Sequence, residues 1–305
     1  MQTVLITGGT GMVGTSLTQL LLSKGYQVIV LTRKPRVATL PNVSYAVWDI
    51  SKGYIDPLAI QKADAIVHLA GAGVADKRWS KKRKQEIVDS RVMSGKLLVK
   101  TLVEIPHQVK TVVSASAIGW YGPDTAQSLH DGFVETDPVD DAFLGDTCKK
   151  WEDSVKPLET IGIRLVTLRI GIVLNKQGGA LAEFIKPAKF GLAAILGTGQ
   201  QVISWIHHQD LTNIILFAIS NNQVNGIFNA VAPSPTTNET LTIQIAKKYH
   251  TYFLKMFIPG WALKIILGEM SVEVLKSANV SSNKLQKIGF PFQFADISSA
   301  LRDLL

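Results

Sequence analysis

The chain has 305 residues, 46% of them hydrophobic and 18% charged, and its 32 Lys and Arg outnumber 24 Asp and Glu for a formal charge of +8. This composition excludes a disordered, collagen-like or coiled-coil protein, and the length predicts about two domains or one large α/β domain with an appendage. The single cysteine, Cys148, excludes an intramolecular disulfide framework and a cysteine-rich zinc module, so a reducing cytoplasm is the expected compartment.

The first 35 residues carry the strongest local signal. Thr3 to Thr7 is short, apolar and β-branched, as in a strand of a parallel sheet buried on both faces. Gly8, Gly9, Gly11 and Gly14 follow, then a helical stripe at Val13, Leu17, Leu20 and Leu21 ended by Gly25, then a second buried strand at Tyr26 to Leu31. Strand, glycine turn, helix, strand is the context in which G-x-G-x-x-G binds a dinucleotide. The early glycines let the pyrophosphate approach the backbone, Gly14 lets helix and strand pack closely, and the helix N-terminus supplies unpaired N–H groups. The residues placed at this turn are Gly8, Thr10, Gly11, Met12 and Val13. An NAD site wants a carboxylate at the end of the second strand to hold the ribose 2′-hydroxyl. Here stand Thr32, Arg33 and Lys34, and a guanidinium suits a 2′-phosphate, so NADP(H) is the expected cofactor.

Further strands are predicted at Val43 to Val47, Ala65 to Leu69, Val109 to Ser114 and Arg164 to Ile170. Asp49 either accepts from the adenine amino group or caps the next segment. Leu69, Ala70 and Gly71 sit where small residues let the backbone approach a cofactor. The next helix carries Glu86 and Arg91. Ser114 and Ala115 end their strand at the edge where open parallel sheets bind ligands, and Ile172 follows the sixth strand in the same way. The basic run Lys77 to Lys84 reads as a solvated helix face, and no zinc finger, RNA-binding signature or basic tail points to nucleic acid. Tyr252 to Leu267 is broken by Lys255, Pro259, Gly260 and Lys264, so no membrane span is expected, and the strand-like N-terminus does not read as a signal peptide.

The succession GGTGMVG, LTRKP, HLAGAGV, KRWSKKRKQEIVDSRV and SASAIGWYG, then CKKWE, LRIGIVL, SWIHHQDL, FNAVAPSP and ILGEMSVEVLKSANVSSNKLQKIGF, resembles the extended short-chain dehydrogenases/reductases. It is most similar to their atypical, epimerase-family branch, the cell-division-inhibitor-like and NAD-dependent epimerase/dehydratase-like proteins with their own C-terminal domain. The resemblance implies a Rossmann-type doubly wound parallel sheet with a smaller C-terminal α/β substrate cap. The expected division is residues 1–232 for the NADP-binding domain, with an insert at about 175–201 that contributes to the cap, and 233–305 for the cap. The family's acid/base pair is Tyr-x-x-x-Lys, and no tyrosine here has Lys four residues on. The corresponding helix places Leu144 and Cys148 in those positions. Ser116 matches the family serine, and Tyr121 is the remaining candidate acid.

Trp120, Lys186, Trp205 and His207 are the candidate substrate residues, which suit a small molecule, anionic or a nucleotide sugar. His207, His208 and Asp210 look like metal ligands, but adjacent histidines of a strand point apart and no metal is expected; Asp210 is expected to cap a helix beginning near Leu211. Two functions stand: an NADP(H)-dependent oxidoreductase or epimerase-like enzyme with non-standard proton transfer, and a non-catalytic NADPH-binding sensor or regulator acting through a partner. The oligomeric state is open, with a homodimer among the options.

Overall fold

The computed structural model describes residues 2–305. In chain order the first half comprises β1 (Thr3–Thr7), α1 (Met12–Ser23), β2 (Gln27–Thr32), β3 (Val43–Asp49), β4 (Tyr54–Ile55), α2 (Pro57–Lys62), β5 (Ala65–His68), α3 (Lys81–Glu104), β6 (Thr111–Ala117), α4 (Ala126–Asp131) and α5 (Phe143–Val155). The second half comprises β7 (Arg164–Ile170), β8 (Ile172–Leu174), α6 (Ala180–Ala188), β9 (Leu192–Leu196), β10 (Val202–Ile203), β11 (Trp205–His207), α7 (His208–Ser220), β12 (Gly226–Ala230) and β13 (Thr236–Thr237). It ends with α8 (Asn238–Tyr249), β14 (Leu254–Ile258), α9 (Gly260–Leu267), α10 (Ser271–Leu275), α11 (Asn283–Lys287) and α12 (Ile297–Leu304).

The main sheet has eight strands in the order β12-β7-β6-β5-β1-β2-β3-β4, parallel except for the short β4, which runs antiparallel to β3. The Rossmann-type fold expected from sequence is therefore present. Every residue of β1 and of β5 is buried, as the continuous apolar runs required of strands covered on both faces. One layer packs α1 and α7 on Val4, Ile6, Val28 and Val30; the other packs α2, α3 and α5 on Leu5, Ile29, Ile66 and Val112. Strand order reverses at β1, whose neighbours are β5 and β2, so a crevice opens at their C-terminal ends.

After α6 the chain returns to the main sheet by way of short outlying strands. The main sheet regains the chain only at β12, whereas β10 pairs with β13 and β11 with β8. These two- and three-residue strands are too short to show a period of their own. The segment after β8 and the C-terminal region share structure: β9 pairs in parallel with β14, and α6, α8 and α12 bury Leu181, Leu241, Ile245 and Leu301 together.

Candidate functional site

The glycine turn is shaped by contacts that leave no room for side chains. Gly8 has φ +69°, and a Cβ on it would lie 2.8 Å from the Leu69 carbonyl oxygen. A Cβ on Gly14 would lie 2.5 Å from the Gly8 carbonyl oxygen. Gly11 caps α1 with no side-chain hydrogen bond, so the first N–H groups of the helix stay available to an anion. The cradle thus fits a dinucleotide pyrophosphate, and Thr10, Met12 and Val13 surround it in sequence. Changing Gly8 to Ala forces a left-handed alanine against fixed backbone; we expect NADPH to bind about tenfold more weakly, since that conformation alone costs about 1–2 kcal/mol. Unchanged binding by isothermal titration would contradict this use of the turn.

Arg33 and Lys34 are exposed just past β2, and the Thr32 hydroxyl donates to the Lys34 carbonyl at 2.7 Å, fixing the bend. Arg36, which sequence reasoning passed over, lines a hollow of about 170 Å³ together with Gly9, Thr10 and Val30. Asp49 does not reach into the crevice freely. One carboxylate oxygen accepts from the Ser51 hydroxyl at 2.6 Å and from the Ser51 and Lys52 amides, so it caps its own turn, and the Ser51 hydrogen bond leads the causes that hold its pKa below the usual value.

Beneath the turn lies a buried polar chain that sequence reasoning missed. The Thr7 hydroxyl accepts from the Leu69 and Ala70 amides at 3.1 and 3.2 Å and lies 2.8 Å from His68 Nδ1. His68 Nε2 lies 3.3 Å from the Ser94 hydroxyl, which donates to the Ser90 carbonyl. Donation from Thr7 to Nδ1 leaves Nε2 protonated and directed at Ser94. The network ties the Leu69-Ala70-Gly71 loop to β1 and α3. Burial pushes the His68 pKa down to about 4, so the ring is neutral in the fold while the unfolded chain titrates near 6.5. Between these values the unfolded state binds the extra proton, and stability falls as pH falls from 6.5 to 4. We expect the stability gap between the native chain and His68→Gln to shrink by about 2 kcal/mol from pH 7 to pH 5 in urea titrations; a constant gap would refute a buried neutral ring.

Two charges of α3 separate at this point. Arg91 is buried against Gly71, donates to the Ala72 and Ile87 carbonyls, and lies over the Trp151 ring. Glu86 instead points outward, 56% exposed, and pairs with Arg83 at 2.8 Å.

On the other side of the crevice, the turn after β6 rests on α5. A Cβ on Gly119 would lie 3.1 Å from Leu144 and 3.5 Å from the Cys148 sulfur, so leucine and cysteine face this turn from the helix. The Cys148 thiol is buried, donates to the Ala117 carbonyl, and burial pushes its pKa up to about 12. It stays protonated and inert. Ser116 is 2% exposed and donates to Glu152 Oε1 at 2.6 Å. Glu152 is in turn held by Arg169 through Nε at 2.9 Å and Nη2 at 3.1 Å, a bidentate pair. Ser114 and Ala115 are enclosed deeper in the strand, and Ile172 is half-buried at the start of β8.

Tyr121 corrects an expectation. It is fully buried, its hydroxyl donates to Asn229 Oδ1 at 2.6 Å and accepts from Arg169 Nη1 at 3.1 Å, and burial raises its pKa to about 12. Its hydroxyl is engaged by Asn229 and Arg169 within the fold, so it braces the turn. Trp120 lies half-buried with its ring 3.6 Å from the Arg169 guanidinium carbon and its indole N–H on the Asp137 carbonyl.

Trp205 and His207 also depart from the cleft expected for them. Trp205 is fully enclosed and its indole N–H donates to the Ser234 carbonyl. His207 is fully enclosed, stacked on Phe294, with Nδ1 accepting from the Gln209 amide and Nε2 facing Asp303 at 3.3 Å. It is His207 that caps α7. Asp210 lies inside that helix and accepts from the Gln293 and Phe294 amides. Lys186 is exposed and paired with Glu183 at 2.6 Å. Among the described residues no group of three or more His, Cys, Asp or Glu is placed to hold a metal ion, and no helix is long and apolar enough to cross a membrane.

Comparison with known proteins identifies the family. Residues 4–230 match the model of the NAD dependent epimerase/dehydratase family, and residues 258–304 match a domain of unknown function, DUF1731. The chain belongs to the NAD dependent epimerase/dehydratase family. It is 35% identical over 305 residues to "Epimerase family protein SAR0825" of Staphylococcus aureus (strain MRSA252), covering 100% of this chain and 99% of that one. Among solved structures it is similar to the human epimerase family protein SDR39U1 (isoform2) with NADPH, at 29% identity and TM-score 0.87, covering 99% of each chain. It is also similar to a nucleoside-diphosphate sugar epimerase of Corynebacterium glutamicum, at 31% identity and TM-score 0.77, covering 98% of this chain and 57% of that one. A UDP-N-acetylglucosamine 4-epimerase of Bacillus cereus, 18% identical with TM-score 0.77, shares the fold.

Proposed function

We propose that this chain is an NADP(H)-dependent oxidoreductase or epimerase-like enzyme acting on a small molecule, with a nucleotide-linked sugar as the favoured class. The observation that carries the reading is the pairing of an uncapped helix N-terminus behind a close-packed glycine turn with Arg33, in place of a carboxylate, at the end of β2. The NADPH named with the human relative supports the cofactor, and the nucleoside-diphosphate sugar named with the C. glutamicum relative supports the substrate class.

When bound, the cofactor supplies or accepts a hydride at its nicotinamide. The chain's part would be to hold the cofactor in the crevice at the C-terminal ends of the strands and to manage one proton. Ser116 is the group for this step: in oxidation its hydroxyl would take the substrate hydroxyl's proton as its own passes to Glu152, and in reduction both protons would return along the same path. Arg169 keeps the carboxylate anchored. Arg91, buried against Gly71 and donating to the Ala72 carbonyl, would hold the loop that follows β5 in place beside the cofactor. We assign residues 1–232 to cofactor binding, with 175–201 joining 233–305 over the substrate.

The enclosure of Tyr121 favours a second reading, a non-catalytic NADPH sensor, because no titrating side chain of the usual pair faces the crevice. Absorbance at 340 nm, followed with NADP+ and NADPH over a panel of carbonyl compounds and nucleotide sugars, together with NMR of the sugars because an epimerase returns its cofactor unchanged, separates the two. Turnover abolished by Ser116→Ala supports the enzyme. Tight NADPH binding with no turnover on any member of the panel supports the sensor.

A further inference from the structure

The densest run of exposed apolar side chains among the described residues lies in the C-terminal region. Tyr252, Leu254, Phe257, Trp261, Ile265 and Ile266 are between 52% and 91% exposed within a short stretch formed by β14 and α9. β14 pairs only with β9, so its other edge presents unpaired backbone N–H and C=O groups. Natural edges are blunted by charge, proline or a bulge. This edge keeps one such device, a single lysine. Lys255, the charge within the strand, is drawn to Glu239 at 3.3 Å, and Pro259 lies beyond the strand's end.

We infer that β14 and α9 form a docking surface for a second copy of this chain, with β14 pairing antiparallel to its mate across a two-fold axis. An isologous contact must be self-complementary, and this strand is. A register centred on Met256 sets Met256 against its own mate, Leu254 against Ile258 and Lys255 against Phe257, where the lysine stem meets an aromatic face while its ammonium stays with Glu239. The two pairs of strands become one four-stranded sheet, flanked by Trp261, Ile265 and Ile266 from each copy. With aromatic side chains offering roughly 150–250 Å² apiece, the exposed apolar surface reaches the roughly 800 Å² per partner of a standard interface. The strip carries little charge: Lys255 is paired and Lys264 stands alone among residues 252–267. A strongly acidic partner or an anionic bilayer would be matched by a richer set of cations.

The test is mass in solution by size-exclusion chromatography with light scattering, at protein concentrations from 1 to about 100 µM. Twice the 33.2 kDa of one chain is expected for the native protein. Met256→Lys sets two ammonium groups opposite each other, so this variant should run as a monomer with an unchanged melting temperature. Met256→Cys should be captured as a dimer by a short bismaleimide, whereas Val37→Cys, at an exposed position outside the strip, should not; the native Cys148 is buried. A native chain that stays monomeric over the whole range, a dimer that Met256→Lys leaves intact, or equal capture of both cysteine variants would each overturn the proposal.

Discussion

Replacing Glu152 with alanine is expected to lower the stability of this chain by about 3–5 kcal/mol, because it strands a buried guanidinium. Arg169 is 1% exposed and its side-chain partners are Glu152 and the Tyr121 hydroxyl, with the Glu135 carbonyl as a further acceptor. Without the carboxylate, neutral oxygens must carry a full charge held away from water. The same change frees the Ser116 hydroxyl and loosens the cation beneath Trp120, so the turn after β6 loses its floor. In a chain of this size the expected fall in melting temperature is on the order of 10 °C. Arg169→Met alone should cost a similar amount, since it buries an unpaired carboxylate. The double variant Glu152→Leu/Arg169→Met should recover much of the loss, because an apolar pair avoids the desolvation that the ion pair must offset. Urea titrations of the native, Glu152→Leu, Arg169→Met and double-variant proteins give the coupling directly. Single variants that cost under about 1 kcal/mol, or a double variant equal to the sum of the singles, would show that the pair is not the buried strut described here.

This pair also shows what a sequence holds and what it conceals. The charge of Arg169 inside the apolar strand RLVTLRI already requires a buried partner, since a strand covered on both faces has no water for a guanidinium. Glu152 lies one helical turn beyond Cys148, so the partner was within reach of reasoning about helix faces. The sheet was legible for a related reason. Strands buried on both faces announce themselves as runs of Val, Ile and Leu, and β1 and β7 were placed to the residue while β2, β3, β5 and β6 shifted only at their ends. What local pattern cannot supply is depth. Tyr121 follows a Gly-Trp pair and precedes glycine, as an accessible turn residue would, but it is enclosed by Asn229 from β12, which lies 108 positions away. Trp205 and His207 sit in a strand too short for alternation to reveal that both are enclosed. His68 read as one more residue of a buried strand, and its ring turned out to complete the polar chain below the glycine turn.

The second large effect concerns the choice of cofactor. Arg33→Ala should weaken NADPH binding by about 2–3 kcal/mol, roughly 30- to 150-fold, and leave NADH binding nearly unchanged. The 2′-phosphate carries about −1.5 to −2 charges at pH 7 and three acceptor oxygens, which is what a guanidinium fork engages in pairs. Lys34 offers a single exposed ammonium, so Lys34→Ala should cost less. Because both cations are exposed at the end of β2, the native preference should weaken as salt rises and Arg33→Ala should flatten that dependence. Arg33→Asp should go further and reverse the preference, since a carboxylate there repels the phosphate and accepts from a ribose hydroxyl. Arg36 is the competing cation, because it shares its hollow with Gly9 and Thr10. Fluorescence titrations of NADPH and NADH against the Arg33→Ala and Arg36→Ala proteins decide between them. Loss of discrimination in the Arg36 variant, with the ratio intact in the Arg33 variant, moves the phosphate from the end of β2 into that hollow and leaves the glycine turn's part unchanged.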